Sequence, residues 1–225
     1  MTLYSLRSKA DKVLIPFVKV LATLPLRANH WTLLGALMGL AVGVAFLYGQ
    51  WALGTVLFVL RGLVDHVDGY VARTRNQRST FGAVMDDVSD RWVLGVMYAG
   101  GCLNLAVDYP HILIVCGLGI TGALSNALIK LSVYAESQQD VWRQQGKIGH
   151  PIDGVGSFGS AEFMIYFGFG VLFTAILDDP RPLLAGAWAV AVMSHISLLQ
   201  RMAFAWKRYR AVDPAALEDE IEQTS

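Results

Sequence analysis

Charge is scarce in this chain. Only 16% of its 225 residues are Asp, Glu, Lys or Arg, whereas a soluble domain carries about 25%. Eighteen basic and eighteen acidic residues cancel to a formal net charge of zero, so no global field favours nucleic acid as a partner. Cysteine is limited to Cys102 and Cys116, both in apolar stretches and without metal-ligand spacing. They read as small packing residues and do not report a redox compartment. A cleavable leader is also missing from the reading: Lys9, Lys12 and Lys19 interrupt the first apolar residues, and no small-residue cleavage site follows a compact apolar core.

What the chain has instead is apolar length, with 54% hydrophobic residues. A bilayer is spanned by about twenty of them in a row. Six windows qualify: Trp31–Gly49, Ala52–Val71, Phe81–Leu105, Ile112–Tyr134, Ser160–Leu177 and Leu183–Ala205. Ahead of them Leu6, Ala10, Val13, Phe17 and Leu21 recur at helical spacing, with Lys12 and Lys19 off the stripe, as in an amphipathic helix lying on an anionic membrane surface. The expected fold is therefore an all-α integral membrane protein: six transmembrane helices with an N-terminal interfacial helix. It forms one domain over 1–225, divided into an interfacial helix (1–30), a six-helix bundle (31–206) and a cytoplasmic tail (207–225). Glu136–Gly159 is the one long polar connection.

Basic residues assign the sides. Arg7, Lys9, Lys12, Lys19 and Arg27 precede the first span, Arg73, Arg75 and Arg78 follow the second, Arg143 and Lys147 lie between the fourth and fifth, and Lys207, Arg208 and Arg210 follow the sixth. The opposite turns hold only Arg181. Both termini are expected in the cytoplasm, in the cell membrane. Gly35, Gly39 and Gly43 repeat every four residues in the first span, which fits close packing inside the subunit or a seam between two copies.

Ionised side chains at membrane depth are costly and mark function. Asp65 and Asp68 are three residues apart on one helical face, and Gly82, Asp86 and Asp90 share a face of the next helix. If the two helices pack antiparallel, four carboxylates meet. That all-oxygen donor set suits Mg²⁺ or Mn²⁺. Gly69 and Gly82 leave clearance for a ligand beside the acids, and Arg73 offers a fixed planar charge suited to phosphate. Cation, clearance and arginine together describe a pyrophosphate site. Ser79 fits either a contact to such a ligand or a cap on the third span. Asp87 and His66 point away from the acidic faces.

The string Asp65-x2-Asp68-Gly69-x2-Ala72-Arg73-x8-Gly82-x3-Asp86-x3-Asp90 resembles the full signature of the CDP-alcohol phosphotransferase family. That resemblance implies a phospholipid-synthesising transferase. It would move a phosphatidyl-type group from a CDP-linked lipid, CDP-diacylglycerol or an ether equivalent, to the hydroxyl of a small polar alcohol and release CMP. It further implies that Asp65, Asp68, Asp86 and Asp90 hold Mg²⁺ or Mn²⁺, that Asp90 is the general base, and that Gly69, Arg73, Ser79 and Gly82 contact the CDP moiety. Asn29 and Thr32 occupy the place of a Pro-Asn-x-x-Thr-like cytidine contact. Ala28 replaces the proline, and capping of the first span by Asn29 is the competing reading.

Within the family the chain most resembles phosphatidylinositol-phosphate and archaetidylinositol-phosphate synthases, through Arg91, Lys130 and Gln200-Arg201. Lys130 and Arg201 are then candidate contacts to a phosphorylated acceptor such as inositol phosphate; snorkelling to the interface is the alternative. Where those synthases carry an arginine, this chain reads Gly159-Ser160-Ala161-Glu162-Phe163, and Glu162 would repel a phosphate. A homodimer is what the family implies. Three other readings remain open at this point: transfer of a small CDP-alcohol headgroup to a lipid alcohol, an intramembrane prenyltransferase built on Asp86-Asp87-x2-Asp90, and a divalent-cation transporter.

Overall fold

The computed structural model describes residues 14–144 and 147–210; Leu6, Ala10 and Val13 of the proposed amphipathic stripe and the acidic tail lie outside them. Seven α-helices occur among the described residues: α1 (14–21), α2 (Ala28–Leu47), α3 (Trp51–Thr74), α4 (Thr80–Leu105), α5 (Ile112–Glu136), α6 (Ser160–Leu177) and α7 (Arg181–Tyr209). Between α5 and α6 two short strands, β1 (Trp142–Gln144) and β2 (Lys147–Gly149), pair antiparallel with Trp142 opposite Gly149. The polar connection thus has local structure that its composition did not announce.

Four helices, α2, α5, α6 and α7, are long and apolar enough to cross a membrane. Helix α3 has 24 residues and α4 has 26, lengths of roughly 36 and 39 Å at helical rise. Both also carry the charges of the acidic motif. On α4 the opposite face is apolar and outward: Phe81, Val84, Val88 and Trp92 are all at least half exposed. Such a row of bare apolar side chains marks a surface for lipid or a protein partner.

The chain divides into two compact units. The first takes Met1–Thr121 and Ser160–Val192, the second Gly122–Gly159 and Met193–Ser225, so α5 and α7 contribute a half to each.

In the first unit α2 packs along both α3 and α4. Glycine makes the α2–α4 approach possible. A Cβ on Gly43 would meet Val96 Cγ1 at 2.7 Å and its carbonyl oxygen at 2.9 Å, one on Gly39 would collide with Val93, and one on Gly100 would collide with the Gly43 backbone. Gly35 faces Val64. The glycine repeat is therefore spent inside the subunit, where it lets the helix carrying Asp86 and Asp90 lie close to α2. Val18 of α1 and Ala22, just past its end, join a cluster with Ala28, Trp31, Val64, Val67 and Val71. Of the apolar stripe, Leu21 packs against this cluster and Phe17 is 61% exposed. Arg75 fastens the α1–α2 link by donating to the carbonyls of Ala22 (2.5 Å), Leu24 (3.0 Å) and Leu26 (3.0 Å).

Candidate active site

Helices α3 and α4 bring the acids together. One carboxylate oxygen each from Asp65, Asp86 and Asp90 lies within 4.8 Å of the others. Oxygens bound at about 2.1 Å on opposite sides of one Mg²⁺ are roughly 4.2 Å apart, so a small rotation closes this trio on a hard cation. The set is all oxygen and partly exposed, which fits such an ion and leaves room for ligand oxygens. Asp68 is more deeply placed, 7% exposed, and accepts from Thr32 Oγ1 at 3.0 Å. It is an i,i+3 neighbour of Asp65 on α3, so it borders the trio with one oxygen tied to α2.

The candidate nucleotide contacts gather in the same unit. Gly82 has both Asn29 Oδ1 and Ser79 Oγ within 3.1 Å of where a side chain would begin. Asn29 therefore meets the start of α4 and does not cap α2, whose N-cap position is Arg27. Ser79 does cap α4, accepting from the Gly82 amide at 3.0 Å. Arg73 is exposed and folds back over Gly69, its Nη1 3.1 Å from the space a Gly69 Cβ would fill. Glycine at 69 thus lets the guanidinium fold back along the helix. Gln77 Oε1 accepts from the Ala28 amide at 2.9 Å and ties the α3–α4 turn to the start of α2.

Asp87 turns away from the trio and pairs with Arg91 at 3.1 Å; Arg91 also donates to Ser160 Oγ at 2.8 Å. His66 Nδ1 bonds the Gly62 carbonyl one turn back at 2.7 Å. Arg61 was not singled out from the sequence. Its side chain is 7% exposed, and Nη2 pairs with Asp65 Oδ1 at 3.3 Å and with Asp90 Oδ1. The i,i+4 spacing of Arg61 and Asp65 was readable as an ion pair; the partner on α4 was not.

Lys130 and Arg201 belong to the second unit. Lys130 Nζ pairs with Asp153 at 2.6 Å. Arg201 is buried and donates through Nε to the Val155 carbonyl (3.0 Å), through Nη1 to the Asn126 carbonyl (3.1 Å) and Oδ1 (2.7 Å), and through Nη2 to the Phe158 carbonyl (3.2 Å). Both cations are engaged within their own unit, where they hold the connection between α5 and α6. That connection is fastened further by His150, whose Nδ1 accepts from the Ile152 amide at 3.1 Å while Nε2 meets Ser137 Oγ at 2.9 Å and Tyr209 OH at 3.1 Å.

A helical bundle with a carboxylate trio that suits a hard cation, a glycine-cleared helix start and Arg73 in the same unit has the parts that a metal-dependent transferase of phosphate-linked groups needs. Residues 25–196 match the CDP-alcohol phosphatidyltransferase family, and the chain belongs to it. The prenyltransferase and cation-transporter readings give way to that membership. Among relatives, the archaetidylinositol phosphate synthase of Methanothermobacter thermautotrophicus is 27% identical over 201 residues, 89% of this chain and 88% of that protein. The phosphatidylinositol phosphate synthase of Streptomyces avermitilis is 28% identical over 230 residues, 97% and 88% respectively. The crystal structure of the Mycobacterium tuberculosis phosphatidylinositol phosphate synthase with CDP-DAG bound matches with a TM-score of 0.74 at 24% identity, over 90% of this chain and 98% of that one, a likeness of fold. The same protein in complex with manganese and citrate matches with a TM-score of 0.72 at 25% identity, over 88% and 91%.

Proposed function

We propose that this enzyme joins a CDP-linked lipid, CDP-diacylglycerol or its ether equivalent, to a small polar alcohol and releases CMP. The observation that carries the reading is the meeting of Asp65, Asp86 and Asp90 oxygens from two helices, with Asp68 alongside. Asp65, Asp68, Asp86 and Asp90 would hold Mg²⁺ or Mn²⁺. When bound, such an ion neutralises pyrophosphate oxygens and makes CMP a better leaving group.

The protein's own groups have separable tasks in this scheme. Arg73, over Gly69, offers donors to the diphosphate. Asn29, Thr32, Ser79 and Gly82 form the nucleotide side of the site. Asp90 takes the proton from the acceptor hydroxyl; the freed oxygen pair forms the new bond to phosphorus as the bond to CMP breaks. Lys130 and Arg201 are the acceptor contacts suggested by family resemblance, and the relatives named as archaetidylinositol phosphate and phosphatidylinositol phosphate synthases make inositol phosphate the first acceptor to test. A small CDP-alcohol used with a lipid alcohol is the competing direction.

The same reading has α3 and α4 cross the bilayer with the other four, because their uncharged faces are apolar and outward. It keeps residues 1–30 as an interfacial segment, both termini and the site at the cytoplasmic face, and a homodimer as the assembly. The test feeds purified protein CDP-diacylglycerol and Mg²⁺ or Mn²⁺ with inositol phosphate, glycerol phosphate, serine, inositol or glycerol. Metal-dependent release of CMP with one acceptor is expected; none with any acceptor, lipid or soluble, overturns the reading.

A further inference from the structure

Arg61 lies on α3 one helical turn before Asp65 and is buried. A buried guanidinium is kept where it has anionic partners. Here one terminal nitrogen, Nη2, serves both Asp65 Oδ1 on its own helix and Asp90 Oδ1 on α4. Among the described residues its Nε is buried with no hydrogen-bond partner, and the two carboxylates are what orient the group. The converse also holds. Asp90 is only partly buried, with 32% of its side chain exposed, and a lone carboxylate there would be free to turn. With Oδ1 held by Arg61 the carboxylate's rotamer is fixed, and the remaining lone pairs of its two oxygens stay available to a cation and to an acceptor hydroxyl.

We infer that Arg61 is a positioning residue for Asp90: by holding Oδ1 it presents the carboxylate to the acceptor hydroxyl, a role distinct from building the cation cage. The inference rests on the transferase reading and on Asp90 as its base. In the step concerned, the acceptor O–H bond breaks, its proton goes to the Asp90 carboxylate, the oxygen pair forms a P–O bond and CMP departs with the electrons of the bond it leaves. Arg61 neither gives nor takes a proton. A guanidinium is suited to that duty because its rigid, planar donor set holds a carboxylate in a fixed geometry.

The two duties separate experimentally. Arg61→Met removes the pair, while Arg61→Lys keeps a cation whose single nitrogen can serve both carboxylates as Nη2 does. Each variant is compared with the unaltered protein for CMP release, for the KM of the CDP-linked lipid and for Mn²⁺ affinity read by electron paramagnetic resonance. Arg61→Met is expected to lower kcat at least 30-fold, with Mn²⁺ affinity unchanged or tighter and the lipid KM within threefold. Arg61→Lys should recover at least a third of the kcat.

An unaltered kcat in Arg61→Met overturns the inference. So does a tenfold loss of Mn²⁺ affinity in step with kcat, since Arg61 would then be part of the cage. Failure of both variants to fold, read by thermal melting, would make the residue structural and overturn it as well. Absence of CMP release from the unaltered protein would instead remove the transferase reading itself, a result told apart by that control alone.

Discussion

Thr32 Oγ1 donates to Asp68 Oδ2 at 3.0 Å and to the Ala28 carbonyl at 3.3 Å, so one hydroxyl on α2 is shared between its own helix and the buried acid of α3. Both residues are under one-tenth exposed. A charge placed this way depends on its donors, because water cannot replace them.

Thr32→Val keeps the shape and removes the donor. It should destabilise the protein by about 1–3 kcal/mol, the range for stranding a buried acceptor, whereas Thr32→Ser should come within about 1 kcal/mol of the parent. Thermal melts in detergent compare the three. Equal melting temperatures for the Val and Thr forms would show that Asp68 does not rely on this bond.

The acids should differ in what they lose. Asp90→Asn is expected to abolish CMP release while leaving cation and nucleotide binding largely intact, since the amide no longer accepts the acceptor's proton. Asp68→Asn should weaken both kinds of binding. Turnover together with Mn²⁺ and CMP titrations separates the two patterns, and normal turnover in Asp90→Asn would remove Asp90 as the base.

Cation should bind the native state alone, because the trio exists only when α3 and α4 are packed. Saturation with Mg²⁺ or Mn²⁺ at 100 times Kd is therefore worth about 2.7 kcal/mol and should raise the melting temperature; a chelator should lower it. A melt indifferent to all three would contradict a cation site at these residues.

The polar segment of the second unit should be sensitive to acid. Burial is the main cause holding the His150 imidazole below its usual 6.5, with Arg208 acting in the same direction and Asp140 and Asp153 opposing it. The unfolded segment therefore takes up a proton first, and the stability His150 contributes is present above about pH 6.5 and fades as pH falls through and below that value. Protonation at Nδ1 also ends its acceptance of the Ile152 amide. Asp140, held down at about 2 by Arg208 and Tyr209, stays ionised throughout this window. Hydrogen exchange at 149–158, corrected for intrinsic rates, should quicken between pH 7.5 and 5.5 in the parent. His150→Asn should remove that pH dependence.

The acidic signature carried the site because spacing along a helix fixes a face: Asp65 with Asp68, and Gly82 with Asp86 and Asp90, were bound to align wherever their helices went. Helix extents were also legible from apolar length; Ser79 fitted either a ligand contact or a cap, and it caps α4. In α1, Leu21 of the expected apolar stripe packs with Val18 against the cluster that holds Trp31 and Val67, while Phe17 is exposed; which residues of a short helix are packed depends on its neighbours.

Sequence by itself determined the helices, the acids and the arginine suited to phosphate, because these follow from periodicity and side-chain chemistry within single segments. Only tertiary structure decided that Gly39 and Gly43 serve α4 rather than a second copy, that Thr32 belongs to Asp68, and that Arg61 answers to Asp90 across 29 residues. It also showed Lys130 and Arg201 already engaged, by Asp153 and by three backbone carbonyls and Asn126 Oδ1. A pair formed between separate helices depends on their rotation and offset. Those are set by the packing of many small contacts at once, and no local pattern records them.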